Sequence, residues 1–132
     1  GVELRRHAQV EPHLVAHASI RGSAGRLSQV LINLLVNAAQ ALGHEGRTGT
    51  IVVSSERVGD RVLLRVRDDG PGIKAEHLPR IFETFFTTKP AGIGTGLGLS
   101  ISRGIVRHLG GEMSVESEAG KGACFTVELP VL

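Results

Sequence analysis

The chain has 132 residues, 41% of them hydrophobic, which is enough for one domain with a buried core. That core must be aliphatic, because there is no Trp, no Tyr and only four Phe. Fifteen basic and thirteen acidic residues are interspersed for a net charge of +2, and without a basic block or stacking aromatics the chain does not read as a nucleic-acid binder.

One cysteine, Cys124, excludes an internal disulfide and fits a reducing compartment. No run is long and apolar enough for a membrane span or a signal peptide, so a cytoplasmic location is expected. Glycine is abundant, with 18 residues, which points to tight turns or to close approach of backbone to a ligand.

Residues 2–7 and 10–19 read as two short strands, with Pro12 placing the second at an edge or bulge. His7, His13 and His17 match no common metal-ligand spacing. Ser23 is the expected N-cap of a helix that runs to about Leu42 and stops at Gly43. Its apolar stripe is Leu27, Val30, Leu31, Leu34, Leu35, Ala38 and Leu42. Beside it runs a stripe of neutral amides, Gln29, Asn33, Asn37 and Gln40. A solvated stripe usually carries Lys or Glu, which form helices better than Asn. Asn33 and Asn37 are four apart and share a face. Two such amides could ligate a hard cation or hold phosphate oxygens, or they could hydrogen-bond the backbone.

Residues 43–49 form a loop. His44-Glu45-Gly46-Arg47-Thr48 superficially matches a His-Glu-x-x-Thr phosphoacceptor pattern, but that pattern needs a helix and the glycines oppose one. Residues 50–58 and 61–67 read as a hairpin joined by Gly59-Asp60. The second strand runs into Asp68-Asp69-Gly70-Pro71-Gly72-Ile73. There a carboxylate could accept from an exocyclic amine, while Gly70 and Gly72 let a flat ring approach the backbone. An ordinary Asp-Gly-Pro-Gly turn is the alternative.

Residues 74–82 suggest one or two short helices, followed by Phe82, Phe85 and Phe86 packing the base of a loop. Thr87, Thr88 and Lys89 then stand where hydroxyls and an ammonium could meet phosphate, although a solvated loop lysine fits as well. The glycine run 92–98 feeds a helix that starts at Leu97 or Gly98 and ends at His108 or Leu109. Leu99, Ile101, Ile105, Val106 and Leu109 are expected inward. A glycine loop entering a helix N-terminus is an anion site, but the Gly94-x-Gly96-x-Gly98 spacing is neither a Rossmann nor a Walker A signature. Gly110-Gly111 stops the helix. Residues 112–117 and 123–129 close the chain as a hairpin, with Ala123, Phe125, Val127 and Leu129 on one face and an inert Cys124 on the other.

The order of these segments resembles the catalytic ATP-binding domain of bacterial sensor histidine kinases, of the GHKL superfamily and most like its nitrogen-regulation type. Asn33-Leu34-Leu35-Val36-Asn37-Ala38-Ala39-Gln40-Ala41 is similar to the N box, and Asp68-Asp69-Gly70-Pro71-Gly72-Ile73 to the first glycine box. Ile81-Phe82-Glu83-Thr84-Phe85-Phe86-Thr87-Thr88-Lys89 is similar to the F box, and Gly94-Thr95-Gly96-Leu97-Gly98-Leu99-Ser100 to the second glycine box. The sequence departs from the pattern at Gln40 and Ala41, where many relatives carry a basic residue, and at Ser23, where many carry Asp.

The resemblance implies the Bergerat fold over residues 1–132: an α/β (α+β) two-layer sandwich, a mixed sheet on about three helices, with an ATP lid over 73–98. It implies Asp68 on the adenine amine and Gly72 near the ring, with Gly70 and Ile73 also among the ATP-binding residues. It implies Asn37 as the main Mg²⁺ ligand and Asn33 beside it on metal or phosphate. Gly94, Thr95, Gly96, Leu97, Gly98 and Leu99 would cradle the phosphates, with Thr87, Thr88 and Lys89 reaching them. The implied function is binding of Mg-ATP and donation of the γ-phosphate to a histidine on a separate dimerisation domain, outside these 132 residues. A response regulator would receive the phosphate next. The fragment is expected to be monomeric with little turnover, and its parent dimeric and possibly membrane-anchored. An anti-sigma-factor-type serine kinase or another GHKL ATPase is the alternative. The ATPases place a Glu four residues before the metal Asn, where Asn33 stands here.

Overall fold

The computed structural model describes residues 2–5, 8–14, 24–44, 49–87 and 98–131. They form a six-stranded mixed sheet of order β1-β2-β3-β4-β6-β5, with two α-helices against one face. The strands are β1 (Val2–Arg5), β2 (Ala8–Leu14), β3 (Gly49–Val58), β4 (Arg61–Asp68), β5 (Glu112–Ser117) and β6 (Ala123–Pro130). The helices are α1 (Ala24–His44) and α2 (Gly98–His108). Only β2 and β3 pair in parallel. Parallel neighbours need a long crossover, and α1 is that crossover.

Pro12 lies on β2 beyond the last residue paired to β1, so on that side it needs no ladder partner. The strand begins at Ala8, two residues earlier than the sequence suggests, and the described part ends at Leu14. The expected cap at Ser23, and His7 and His17, lie outside the described residues.

The helical stripe of α1 forms as its spacing requires. Val30, Leu34, Ala38 and Leu42 are buried, and the helix continues through Gly43 to His44. Opposite them the sheet presents alternate residues: Ile51 and Val53 of β3, Val62, Leu64 and Val66 of β4, and Phe125, Val127 and Leu129 of β6. The β3–β4 hairpin turns at Gly59, whose φ of 61° suits the first position of a two-residue turn. Cys124 is half-buried on the other face, and burial raises its thiol pKa, which keeps it poorly nucleophilic.

Along α2 and the turn that follows it, the inward residues are Ser102, Val106 and Leu109, spaced four and three apart. Ile101 was expected inward but is 45% exposed, since it lies about 100° around the helix from Ser102. The helix ends in a Schellman arrangement: Gly110 has φ 87°, Gly111 N–H donates to Val106 O at 3.0 Å and Gly110 N–H to Arg107 O at 3.0 Å. Gly104 is exposed in mid-helix, and a Cβ there would meet nothing within 4 Å. Gly104→Ala is therefore expected to stabilise the domain by about 1 kcal/mol, read as a rise in melting temperature of about 4 °C. An unchanged or lowered melting temperature would show that the site needs glycine for another reason.

Residues 74–82 hold less helix than expected: a single 3-10 turn, Leu78–Arg80, flanked by other turns. Pro79 has no N–H and crowds the preceding turn, so an α-helix cannot run through it. The segment is held instead by i to i+3 bonds, among them His77 N–H to Lys74 O at 2.9 Å and Arg80 N–H to His77 O at 2.8 Å. Two of the three phenylalanines pack as expected. Phe82 meets Phe125 edge-on at 6.4 Å and lies 4.6 Å under the Arg103 guanidinium, while Phe86 carries Arg80 at 4.6 Å. Phe85 does not pack: it is 71% exposed at φ 69°.

Candidate functional site

The site is built where the C-terminal end of β4 meets the C-terminal half of α1. Val62, Leu64 and Val66 point into the core, so the alternation carries Asp68 inward as well, and it is 4% exposed. Its Oδ1 accepts from Gly70 N–H at 2.9 Å. Desolvation pushes its carboxyl above the ordinary carboxylate range and the charge of Asp69 adds to this, while the Gly70 and Ala123 N–H groups partly offset it. A buried acid with lone pairs to spare is suited to accept from a bound amine.

Asp69 points the other way and is structural. It accepts from Thr50 N–H at 2.8 Å and donates its own N–H to Thr50 O at 3.3 Å, which fastens the start of β3.

The turn after Asp69 is fixed by the β5–β6 turn. Gly72 has φ 76°, and a Cβ there would run into the Glu118 carbonyl. Pro71 O accepts from Gly120 N–H at 2.6 Å. Ile73 N–H donates to Ser117 Oγ at 2.8 Å, and that hydroxyl donates to Gly122 O at 2.7 Å. Gly122, at φ 82°, lies against the backbone oxygen of Asp68. A Cβ on Gly70 would be 3.2 Å from Leu42 Cδ2, so the turn lies directly against α1.

Asn33 and Asn37 stand further back along α1, both partly buried. Asn33 Nδ2 donates to Ser102 Oγ at 3.0 Å, which ties α1 to α2 within four residues of Gly98, where α2 begins. From Ala41, beside Gly70, back to Asn33 is about 12 Å of helix rise. The geometry thus lays an amine acceptor at one end of α1 and oxygen donors plus a helix N-terminus toward the other.

Asn33, Asn37, Asp68, Gly70, Gly72, Ile73, Thr87, Gly98 and Leu99 fall within the described residues. Thr87 is exposed at the end of its segment, and Leu99 is half-buried against the core. Thr88, Lys89, Gly94, Thr95, Gly96 and Leu97 lie outside them, within the undescribed stretch 88–97 of the expected lid. Three residues at the site were missed from sequence. Ser102 is a polar residue at an inward helical position, one turn before Val106. Ser117 shares the inner face of β5 with Met113 and Val115. Gly122 stands just before the second strand of the closing hairpin.

The residues present fit a magnesium-bound nucleotide. Asn33 uses its nitrogen on Ser102, so its oxygen is the acceptor left over, and Asn37 supplies a second amide one turn on. Mg²⁺ held partly by ligand phosphates needs only one or two protein oxygens. Among the described residues there is no cluster of three or more His, Cys, Asp or Glu side chains that could hold a metal without such a ligand.

Comparison with known proteins gives consistent results. Residues 22–132 match the family described as histidine kinase-, DNA gyrase B- and HSP90-like ATPase. The chain is 46% identical over 137 residues to the two-component sensor PprA of Pseudomonas aeruginosa, covering 99% of this chain and 15% of that protein. It superposes on the catalytic domain of the histidine kinase ThkA with a TM-score of 0.79 at 36% identity, covering 94% of this chain and 80% of that one. Full-length ShkA in complex with AMPPNP gives a TM-score of 0.81 at 31% identity, over 94% of this chain and 26% of that one.

Proposed function

Because this chain belongs to the histidine kinase-, DNA gyrase B- and HSP90-like ATPase family, as a catalytic ATP-binding domain of the sensor histidine kinase kind, we propose that it binds Mg-ATP and donates the γ-phosphate to a histidine on a separate dimerisation domain. The chain spans only 15% of PprA, so the acceptor domain and a response regulator are assigned to the parent protein by the same proposal. Residues 1–132 would be one domain, monomeric alone and dimeric through the parent. Among the described residues no helix is long and apolar enough to cross a membrane.

The observation that carries the reading is the buried Asp68 carboxylate at the foot of a glycine turn, with the Asn33 and Asn37 pair further along the same helix. Asp68 would accept from the exocyclic amine of adenine, with Gly70, Gly72 and Ile73 against the ring. Asn37, with Asn33 beside it, would hold Mg²⁺. Thr87, Thr88, Lys89 and the loop 94–99 would meet the phosphates, aided by the N-terminus of α2. The neighbour ShkA was solved with AMPPNP, an ATP analogue, which favours the nucleotide assignment.

Phosphoryl transfer is mostly positioning and charge neutralisation, so these residues need not react themselves. When bound, Mg²⁺ would neutralise charge developing on the phosphate oxygens. Four residues before Asn37 stands Asn33, a neutral amide that cannot take a proton from water. That favours transfer to a protein acceptor over hydrolysis.

The test is calorimetric titration with a non-hydrolysable ATP analogue, with and without Mg²⁺, followed by phosphate transfer to a supplied histidine-bearing domain. Wild type is expected to bind more tightly with Mg²⁺. Asn37→Ala should lose most of that gain, about tenfold or more. A folded wild type that gives no heat, or binding with no transfer to any supplied acceptor, would sink the proposal at the corresponding step.

A further inference from the structure

Ser102 has no exposed surface and lies in the middle of α2, on the face that carries Val106 and Leu109 into the core. An aliphatic side chain would occupy such a position without penalty. A buried hydroxyl is costly unless it is hydrogen-bonded. Its partner is Asn33 of α1, 69 residues away in sequence, whose Nδ2 donates to Ser102 Oγ at 3.0 Å. Asn is itself a weak helix former, so neither residue is explained by local preference.

The bond is directional. A carboxamide carries its two N–H donors on one side and an oxygen acceptor on the other. With the nitrogen engaged by Ser102, the oxygen of Asn33 is turned away from it. A hard cation takes that oxygen and not the amide nitrogen. Ser102 also sits four residues after Gly98, about 6 Å along α2 from its N-terminus.

We infer that Ser102 is a positioning residue that holds the Asn33 amide with its oxygen available to nucleotide-bound Mg²⁺, and does so from the helix whose N-terminus faces the phosphates. The inference rests on the functional reading above and narrows it: Asn33 acts through its oxygen on the cation rather than through its N–H on phosphate.

The test uses the full 132-residue chain and the ATP analogue AMPPNP, titrated with and without Mg²⁺. Ser102→Ala is expected to reduce the Mg²⁺-dependent gain in affinity by about tenfold, while metal-free affinity stays within about twofold. Asn33→Ala should lose the same gain, and adding Ser102→Ala to it should change little more. Ser102→Cys keeps the volume with a weak acceptor sulfur, and should fall between wild type and alanine. Val106→Ala, buried one turn on, should lower the melting temperature and leave the Mg²⁺ gain intact, which separates positioning from packing. An unaltered Mg²⁺ gain in the Ser102 variants, or an equal loss with and without Mg²⁺, overturns the inference while leaving the nucleotide site standing. A folded wild type that binds no AMPPNP overturns both.

Discussion

Replacing Asp68 by asparagine is expected to raise the melting temperature of the nucleotide-free domain at neutral pH and to weaken ATP binding by about a hundredfold or more. The two effects have one cause. Asp68 is buried, and desolvation lifts its carboxyl above the ordinary value of 3.8 against the pull of the Gly70 and Ala123 N–H groups. Between the ordinary and the raised value, the folded state holds a proton that the unfolded state has released. Stability contributed by this group is therefore complete below the ordinary value, falls as pH rises through the folded value, and stays lost at neutral pH. Asparagine does not ionise, and its oxygen can still accept from Gly70 N–H. The stabilisation should accordingly vanish when both proteins are melted near pH 4.

Binding moves in the opposite direction, because an amide is a weaker acceptor than a carboxylate and can present N–H to the adenine amine. In the wild type, affinity should decline on acidification, starting at a higher pH than for an ordinary carboxylate. Melting curves at two pH values and one calorimetric series decide the matter. A D68N protein that melts no higher at neutral pH, or that binds ATP within a few-fold of wild type, would remove Asp68 from the role of buried acceptor.

Gly122→Ala is expected to be strongly destabilising, at about 3 kcal/mol or more. Gly122 has φ 82°, which alone penalises an L-side chain by about 1–2 kcal/mol. A Cβ there would also run into the backbone oxygen of Asp68, and its carbon would be only 3.0 Å away. That carbonyl belongs to β4 paired with β6, so it cannot move aside without opening the ladder at Asp68 and Ala123. Overpacking of this kind adds about 1–3 kcal/mol. Gly120 provides the control. It has nearly the same φ, 84°, but nothing lies within 4 Å of its would-be Cβ, so Gly120→Ala should cost only the conformational part. Denaturant unfolding of both variants separates the two contributions, and equal losses would show that the close approach to Asp68 is not what requires glycine. G122A should also weaken nucleotide binding, since the strain falls on Asp68, the residue proposed to accept from the amine.

Much of this was legible in the sequence for local reasons. The period of Val30, Leu34, Ala38 and Leu42 gave α1, and the alternation of Val62, Leu64 and Val66 gave β4. Glycines marked positions that do adopt positive φ, at Gly59, Gly72 and Gly110. The errors also have local causes. Ile101 and Ser102 differ by one residue, and hydrophobicity alone favoured the wrong one. The three phenylalanines of the 81–89 segment looked equivalent, yet Phe82 and Phe86 are covered by arginines and Phe85 is not. Pro79 should have cut back the helix expected over 74–82.

The sequence by itself determined the strands, the two α-helices and their order, because period and glycine placement act over a few residues. Only the tertiary structure decided what those ends meet. It separated the buried Asp68 from the structural Asp69, set Gly122 against the Asp68 carbonyl, and joined Asn33 to Ser102. The side-chain bond of Asp69 to Thr50 spans 19 residues and that of Asn33 to Ser102 spans 69. Contacts at such range are set by how the sheet and the helix pair pack together, and no local pattern encodes them.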